Sequence, residues 1–381
     1  MKVITPAMEK YAETVQPELL DLIRRMCVIP APSNHEEKRA EFCRDWFVGN
    51  GFKNVEIDSA LNVLAPVNVD LKGTEPFDVV MAHTDIVFPD TTPLPMREEG
   101  GFIHCPGVGD DTANLAVMMV CARHVRENFP AGRRGILFVA NSGEEGLGNL
   151  KGSRKIMETF GDRVREFVSL DSACMNRLVV KAVGSHRYKV AVRTEGGHSF
   201  ARFGNRNAIH SLATMISLLY SVKVPTAGDS KTTYNVGIIS GGTSVNTIAQ
   251  YAEMMYEYRS DDRSCLEKME KLFKQVIETF RATGVEVEVE KVGDRPCAGP
   301  VDPVRLNALR ERYRTSVRDV LDLEVFEGPS STDCNIPLSQ GVPAICFGVV
   351  RSAGAHTREE KLDTTSLADG CRLLLDFINR K

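Results

Sequence analysis

Apolar residues recur in two kinds of pattern outside the middle of the chain. Helical spacing of apolar positions predicts helices at 9–27, 35–47, 113–126 and 152–159. Short continuous apolar runs predict strands buried on both faces at 78–82, 136–140, 167–170 and 344–347. Because such strands alternate with helices along the chain, we expect an α/β fold with a mainly parallel sheet flanked by helices.

The middle of the chain follows a different order of elements. The patterns there predict a strand at 188–194, a helix at 205–222, strands at 234–239 and 247–259, a helix at 266–283 and a strand at 285–292. The order βαββαβ is typical of a ferredoxin-like α+β domain with two helices on one face of an antiparallel sheet. We therefore expect a first part of the α/β domain at 1–184, an inserted lid domain at 185–295 and a second part at 296–381.

Polar residues suited to metal binding follow the apolar runs. They are His83, Asp85, Glu144, Glu145, Asp171 and His356. In open α/β sheets, ligands bind beyond the carboxyl ends of the strands. Because residues two apart on an extended chain share a face, Asp85 is predicted to orient the imidazole of His83 for a metal. The alternative for this stretch is a surface turn.

Glu144 and Glu145 stand side by side in the sequence NSGEEGLG, after a strand predicted to be buried. Two adjacent carboxylates repel each other, and a bound cation removes that cost for one of them. The other carboxylate then stays available to take a proton from a water molecule activated by the metal. We predict that Glu145 is a metal ligand and that Glu144 is the general base. An acidic surface loop is the alternative.

A glycine-rich turn, GVGDD at 107–111, precedes the helix predicted from residue 113. A carboxylate on such a turn could bridge two cations, whereas the alternative is a helix cap formed by Asp110 or Asp111. The turn lacks the Gly-Lys-Ser/Thr ending of a phosphate-binding loop, which argues against a nucleotide-binding protein. Together, two histidines and three carboxylates at predicted strand ends indicate a two-metal site with nitrogen and oxygen ligands.

Composition excludes some classes of partner. The chain has 381 residues, 43% of them hydrophobic and 26% charged, and its formal net charge is −4. Without a long block of one charge sign, we expect neither nucleic acid nor an anionic membrane as a partner. We expect no membrane span, because no apolar run reaches the roughly 18 residues that a span needs. The N-terminus lacks the apolar core of a signal peptide, so we expect a cytoplasmic protein.

In their order and spacing, several stretches resemble the M20 metallopeptidase family. The stretches are MAHTDIVFP, GVGDDTANLAV, NSGEEGLGN, SLDSA, GGHSFARFGNRNAI, GGTSVNTIAQ and GAHTREEKLD. The resemblance implies a zinc-exopeptidase-like α/β fold and a co-catalytic pair of zinc ions, which manganese or cobalt can replace. It implies that Asp110 bridges both ions, that His83 and Asp171 hold one, and that Glu145 and His356 hold the other. It also implies that Glu144 is the general base and that Asp85 supports His83.

The same resemblance implies roles for three residues of the lid domain. His198 corresponds to a histidine that stabilises the oxyanion and that, in dimeric members, reaches across from the partner subunit. We therefore expect a homodimer formed through the lid domain. Asn246 and Arg259 match positions that contact the substrate carboxylate, a task suited to the fork of an arginine. The alternatives are a surface histidine at 198 and, for Arg259, a charge pair with a neighbour on its strand.

Three positions depart from the family pattern. A lysine that usually follows the bridging aspartate is Thr112 here, a proline common after the lid histidine is absent near Phe203, and the usual GGTD stretch reads SSTD at 330–333. None of these changes removes a predicted metal ligand.

The carboxylate at position 171 bears on the subclass. By resemblance, an aspartate there is typical of peptidase T and related aminopeptidases or dipeptidases, whereas deacylases have a glutamate. We therefore expect two-metal-dependent hydrolysis of an amide bond in a small peptide. The alternative on the same site is an N-acyl-amino-acid amidohydrolase that acts on acylated amino acids. A further alternative, of another class, is an inactive binding or scaffold protein.

Overall fold

The computed structural model describes residues 3–128, 130 and 132–380, and the chain forms two compact units. The first unit comprises the residues up to 181 and those from 299 onwards, and the second comprises 182–298. The helices in the described residues are α1 (Pro6–Thr14), α2 (Gln16–Cys27), α3 (Glu37–Gly49), α4 (Ala113–Asn128), α5 (Lys151–Phe160), α6 (Ala208–Tyr220), α7 (Arg263–Ala282), α8 (Pro303–Leu321), α9 (Asn335–Ser339) and α10 (Leu367–Asn379). None of these described helices combines the length and the apolar character needed to cross a bilayer.

The strands of both units are short to medium in length. They are β1 (Glu56–Ile57), β2 (Val63–Val67), β3 (Phe77–His83), β4 (Arg97–Glu99), β5 (Phe102–His104), β6 (Gly135–Asn141), β7 (Val164–Leu170), β8 (Arg177–Val179), β9 (Gly184–Arg193), β10 (Gly197–His198), β11 (Thr232–Gly241), β12 (Thr247–Ile248), β13 (Tyr251–Ser260), β14 (Glu286–Arg295), β15 (Phe326–Glu327), β16 (Ala344–Phe347), β17 (Arg351–Ala353) and β18 (Lys361–Asp363). Elements β9 to β14, with α6 and α7, belong to the second unit.

The first unit is built around a sheet with the strand order β1-β2-β6-β3-β7-β16-β8-β15. Its central strands β6, β3, β7 and β16 pair in parallel. Their apolar side chains are almost fully buried, which explains why these strands read as continuous apolar runs. The predicted α/β fold with a mainly parallel sheet is confirmed. Because parallel strands end at the same edge, His83, the end of β6 and the end of β7 share the carboxyl edge of this sheet.

Two features of the first unit differ from the sequence prediction. The predicted helix at 9–27 is two helices, α1 and α2, that meet at Val15. Pro17 has no backbone N–H, so it cannot donate a hydrogen bond to the preceding turn and a continuous helix is interrupted here. In the first turn of α2 the missing N–H costs nothing, because no carbonyl within that helix would accept it. A second, antiparallel sheet with the order β17-β18-β5-β4 was not predicted, because its strands of three residues are too short to show a period.

The second unit has the predicted βαββαβ order, and its sheet runs β11-β13-β9-β14 with antiparallel pairs throughout. Residues along β13 alternate between half-buried and buried, as expected when helices cover only one face. The buried face packs against both helices; for example, the ring of Tyr188 on β9 lies 4.3 Å from that of Phe273 on α7. The predicted α+β architecture of this region is therefore confirmed.

Candidate metal centre

His83 ends β3 and is buried at the carboxyl edge of the large sheet. Its Nδ1 lies 2.9 Å from the backbone oxygen of Asp85 and 3.5 Å from the Oδ1 atom of the same residue. A hydrogen bond from Nδ1 to the backbone oxygen of Asp85 fixes the orientation of the ring. Nε2 then faces Asp110 and lies 3.1 Å from the Oδ1 atom of that residue. The backbone of Asp85, more than its carboxylate, therefore orients His83.

Asp110 lies in the turn Val108–Thr112, just before α4. Its carboxylate stands between two imidazoles, with Oδ1 3.1 Å from Nε2 of His83 and Oδ2 3.2 Å from Nε2 of His356. Burial disfavours the ionised form, but the two imidazoles outweigh burial and hold the pKa of Asp110 below its usual value. The position is that of a carboxylate shared between two sites, one beside each histidine.

Glu145 and His356 meet beside Asp110. Oε1 of Glu145 lies 2.9 Å from Nε2 of His356, and the neighbouring carboxylates of Asp110 and Glu145 raise the pKa of this histidine to about 10. The Glu145 side chain is buried, and the contact of its Oε1 with Nε2 of His356 is close enough for an ion pair but lacks the geometry of a hydrogen bond. This corner of the site thus favours positive charge strongly.

Asp171 follows β7, and its backbone N–H donates to the oxygen of Phe347 at the end of β16. Its carboxylate can offer an oxygen within 4.8 Å of ligand atoms of His83 and Asp111. Burial first, and then the charge of Asp110, raise the pKa of Asp171 to about 7. The five predicted ligands are thereby brought together at one edge of the sheet.

Glu144 and Glu145 follow β6, and their backbone is held by Asp85. The buried carboxylate of Asp85 accepts the N–H of Glu144 at 3.1 Å and that of Glu145 at 2.9 Å. Ser33, which the sequence analysis missed, donates its hydroxyl to the same carboxylate at 2.7 Å. Asp85 therefore fixes the acidic pair as well as contacting His83.

These donors fit a pair of divalent cations. A neutral His83 that donates through Nδ1 presents a lone pair at Nε2 to the Asp110 carboxylate, and two electron-pair donors so close need a proton or a cation between them. The buried Oε1 atom of Glu145 and Nε2 of His356, 2.9 Å apart, are a second such pair of electron-pair donors when the imidazole is neutral. Imidazole nitrogen and carboxylate oxygen are ligands that zinc, manganese and cobalt accept. As the resemblance implies, His83, Asp110 and Asp171 would hold one cation, and Asp110, Glu145 and His356 the other. The ligand atoms that lie within 4.8 Å of one another form two groups, His83 with Asp111 and Asp171, and His83 with Asp110 and Glu145.

Two further carboxylates at the site were not predicted as functional. Asp111, considered only as a helix cap, is buried and accepts the backbone N–H of His83 at 2.9 Å. Glu360 is fully buried and accepts backbone N–H groups of the turn that bears Asp110. Burial raises the pKa of Glu360 to about 7, although these amides oppose the shift. The acidic pair Glu359-Glu360 was the one signal in the sequence that could have drawn attention to it.

Thr112, one of the departures from the family pattern, and Asp333, the last residue of the SSTD stretch, lie in the buried support of the site. Thr112 accepts a hydrogen bond from buried Arg39 at 3.3 Å, and the same guanidinium donates to the backbone oxygen of Thr84 at 2.9 Å. Asp333 accepts from Asn141 at the end of β6, at 2.6 Å. Both residues therefore brace strand ends that carry predicted ligands.

The three predicted lid residues lie in the second unit. His198, in β10, is exposed, and its Nδ1 lies 3.3 Å from the N–H of Phe200. Asn246 is exposed and accepts from Ser244 at 2.8 Å. Arg259 makes a bidentate pair with Glu257 of its own strand, at 2.9 and 3.0 Å, which agrees with the alternative of a strand-face charge pair. Contact of these residues with substrate stays a prediction.

Known proteins are similar to this chain over most of its length. A sequence model of peptidase family M20/M25/M40 matches residues 79–380. The succinyl-diaminopimelate desuccinylase of Corynebacterium glutamicum is 24% identical over 377 residues, which cover 94% of this chain and 95% of that protein. A tripeptidase from Staphylococcus aureus has a TM-score of 0.76 at 22% identity, covering 96% of this chain and 98% of that one. A dinuclear metal-binding peptidase of Bacillus subtilis has a TM-score of 0.65 at 14% identity, with the same two coverages.

Proposed function

We propose that this chain, which belongs to peptidase family M20/M25/M40, hydrolyses the amide bond of a dipeptide or tripeptide that has a free amino end. The observation that carries the proposal is the convergence of His83, Asp110 and His356 at one sheet edge, next to the buried pair Glu144 and Glu145. Family membership makes the chain a hydrolytic enzyme, so the scaffold alternative loses its support. Membership of this family also argues against the alternative of a nucleotide-binding protein.

Hydrolysis needs a general base and a proton donor, and Glu144 is proposed for both tasks. A bound pair of divalent cations would polarise the scissile carbonyl and lower the pKa of a water molecule. Glu144 accepts the proton of the attacking water and then gives it to the leaving amine, so no covalent intermediate with the protein forms. Asp85 keeps the backbone of Glu144 in place through the 3.1 Å hydrogen bond.

The negative charge that develops on the carbonyl oxygen as the water attacks needs hydrogen-bond donors. We propose His198 for this role and Asn246 and Arg259 for the carboxylate of the substrate, as the resemblance implies. Arg259 would have to exchange its pair with Glu257 for the substrate, since its fork is occupied by that carboxylate. The proposed cations are two Zn²⁺ ions, with Mn²⁺ or Co²⁺ as substitutes.

Two observations bear on the substrate class. The carboxylate at position 171 is an aspartate, which supports a peptidase with a requirement for a free amino group, and a tripeptidase is among the similar folds. The second candidate is an N-acyl-amino-acid amidohydrolase. It is favoured by the desuccinylase of Corynebacterium glutamicum, whose similarity extends over 94% of this chain.

A panel of substrates separates the two candidates. Free-amino dipeptides and tripeptides are compared with their N-acetyl and N-succinyl counterparts, with Zn²⁺, Mn²⁺ and Co²⁺ supplied separately. The proposal expects kcat/KM at least about tenfold higher for the free-amino peptides, a preference equivalent to about 1.4 kcal/mol. Cleavage confined to the acylated compounds would transfer the proposal to the amidohydrolase.

We also propose that two copies of the chain associate through their second units, in a cytoplasmic enzyme. Strand β11 pairs only with β13 among the described strands, and its Ile238 and Ile239 are 63% and 55% exposed. An exposed apolar edge strand is a site for pairing with another strand, and a second copy offers a matching edge. Sedimentation analysis should give the mass of a dimer, and Ile238→Lys with Ile239→Lys should give that of a monomer. A monomeric wild-type protein would contradict this proposal.

A further inference from the structure

Glu360 has an unusual set of partners for a glutamate. Its side chain is 0% exposed, and its two oxygens accept three backbone N–H groups. Oε2 accepts from Gly107 at 2.7 Å, and Oε1 accepts from Gly109 at 2.7 Å and from Asp110 at 2.9 Å. The three donors lie within four residues of the turn that presents the Asp110 carboxylate.

The same residue belongs to the hairpin that carries His356. The hairpin is formed by β17 and β18, with His356 in the connection and Glu360 immediately before β18. The backbone N–H of Cys105 donates to the backbone oxygen of Glu360 at 3.1 Å, which joins the start of the turn to the hairpin. A side chain on Gly109 would collide with Ser352 of β17, so the turn and the hairpin approach closely. Glu360 thus ties the two segments that carry Asp110 and His356.

We infer that Glu360 is a positioning residue, whose carboxylate holds the Asp110 turn at the distance from His356 that shared metal binding requires. Nε2 of His356 lies 3.2 Å from Oδ2 of Asp110, and both side chains reach this point from segments that Glu360 joins. The inference rests on the proposed function, because it takes Asp110 and His356 as ligands.

The three donors demand a carboxylate. A glutamine has one acceptor oxygen and one NH₂ group, so it could keep the bonds to Gly109 and Asp110 but would set two donors against each other at Gly107. Leaving a buried backbone donor without an acceptor displaces the turn or costs stability. An aspartate keeps both oxygens but is one carbon shorter, so it reaches the turn less well.

The experiment compares Glu360→Gln and Glu360→Asp with the wild-type chain, and uses Glu359→Gln as the matched control because Glu359 is the exposed neighbour. Three quantities are measured on the full chain: the thermal midpoint of the metal-free protein, the dissociation constant for Co²⁺, and the visible absorption spectrum of bound Co²⁺. The spectrum reports the arrangement of ligands and requires no substrate. For Glu360→Gln we expect Co²⁺ to bind about 10–100-fold more weakly with an altered spectrum, and for Glu360→Asp a smaller effect.

Each outcome decides the inference. Wild-type Co²⁺ affinity and spectrum in both Glu360 variants would overturn it, and so would a lowered metal-free midpoint with unchanged Co²⁺ binding, which is the signature of a merely structural residue. An effect of equal size in Glu359→Gln would also overturn it. If Glu360→Gln fails to fold, the Co²⁺ affinity of Glu360→Asp decides alone. A wild-type chain that binds Co²⁺ but cleaves no amide contradicts the proposed function and leaves this comparison intact.

Discussion

Acidic side chains that are at least half-buried lie at both ends of the parallel strands, but they have different partners. At the amino edge, Arg134 lies 2.9 Å from Asp78, at the start of β3, and Arg312 lies 2.6 Å from Glu166 on β7. At the carboxyl edge, the ion-pair partners of Asp110 and Glu145 are the imidazoles of His83 and His356. A guanidinium is a permanent charge, whereas an imidazole can exchange its proton for a metal ion.

The same physical cause acts on one acid at each edge. Burial raises the pKa of Asp78 to about 6 and that of Asp171 to about 7. For Asp78, Glu166 adds to this effect and Arg134 and Arg312 offset it. For Asp171, Asp110 and Glu145 add to it and His83 offsets it. At the amino edge, arginine side chains of the protein balance the acids. At the carboxyl edge, the carboxylates repel one another, and bound metal cations would reduce this repulsion. The type of partner, and not the number of acids, distinguishes the two edges.

The largest expected effect comes from removing the proposed base at the carboxyl edge. Glu144→Gln keeps the shape of the side chain but cannot take a proton, so kcat should fall about 10²–10⁴-fold. The bound metal should remain near two ions per chain, since Glu144 is not among the proposed ligands. Steady-state kinetics and elemental analysis of the same preparation measure the two quantities.

The matched control for this experiment lies at the other edge of the same sheet. Glu166→Gln changes a half-buried acid that pairs with Arg312, so it should leave kcat within about threefold of wild type if the edges are functionally distinct. Full activity in Glu144→Gln would show that the base is misassigned. Loss of both ions in that variant would instead make Glu144 a ligand, and the division of tasks between the paired glutamates would be wrong.

Three of the five predicted ligands could be found from the sequence because each follows a buried strand with a clear pattern, whereas Asp110 lies in a turn and His356 in a hairpin. His83, Asp171 and the pair at 144 and 145 come directly after β3, β7 and β6, whose apolar runs are unambiguous. Parallel strands then bring these ends together without any knowledge of side-chain packing. The role of Asp85 was only partly predicted, because its hydrogen bonds to the amides of Glu144 and Glu145 depend on how two loops meet.

Residues that act through backbone contacts could not be found in this way. Arg39 lies among charged residues of α3, where a helical pattern predicts a solvent-exposed side chain, yet it is buried and donates to Thr84 and Met26. Glu360 follows another glutamate in a polar stretch, and only the approach of the 107–110 turn gives it partners. In both cases the informative partner is a backbone group, which has no signature in the sequence.

The smaller expected effect is on stability at the amino edge. The pKa of Asp78 is raised from 3.8 to about 6, so between these values the folded chain binds more protons than the unfolded chain and stability falls as pH rises. Asp78→Asn removes this titration. The free energy of unfolding of this variant should equal that of wild type near pH 4 and exceed it by about 1–3 kcal/mol above pH 6, since the raised pKa already includes the favourable pair with Arg134.

Thermal midpoints measured at intervals from pH 4 to pH 8 test this dependence, and Glu98→Gln serves as the control. Glu98 forms an exposed pair with Arg24 at 2.6 Å, so its loss should change stability by less than about 1 kcal/mol. If Asp78→Asn destabilised the chain above pH 6, the arginines would more than compensate for burial of this acid. The acids at the amino edge would then be stabilised by positive charge, as we expect for the carboxyl edge with metal cations bound. The two edges would differ only in the source of that charge, arginine side chains at one and metal ions at the other.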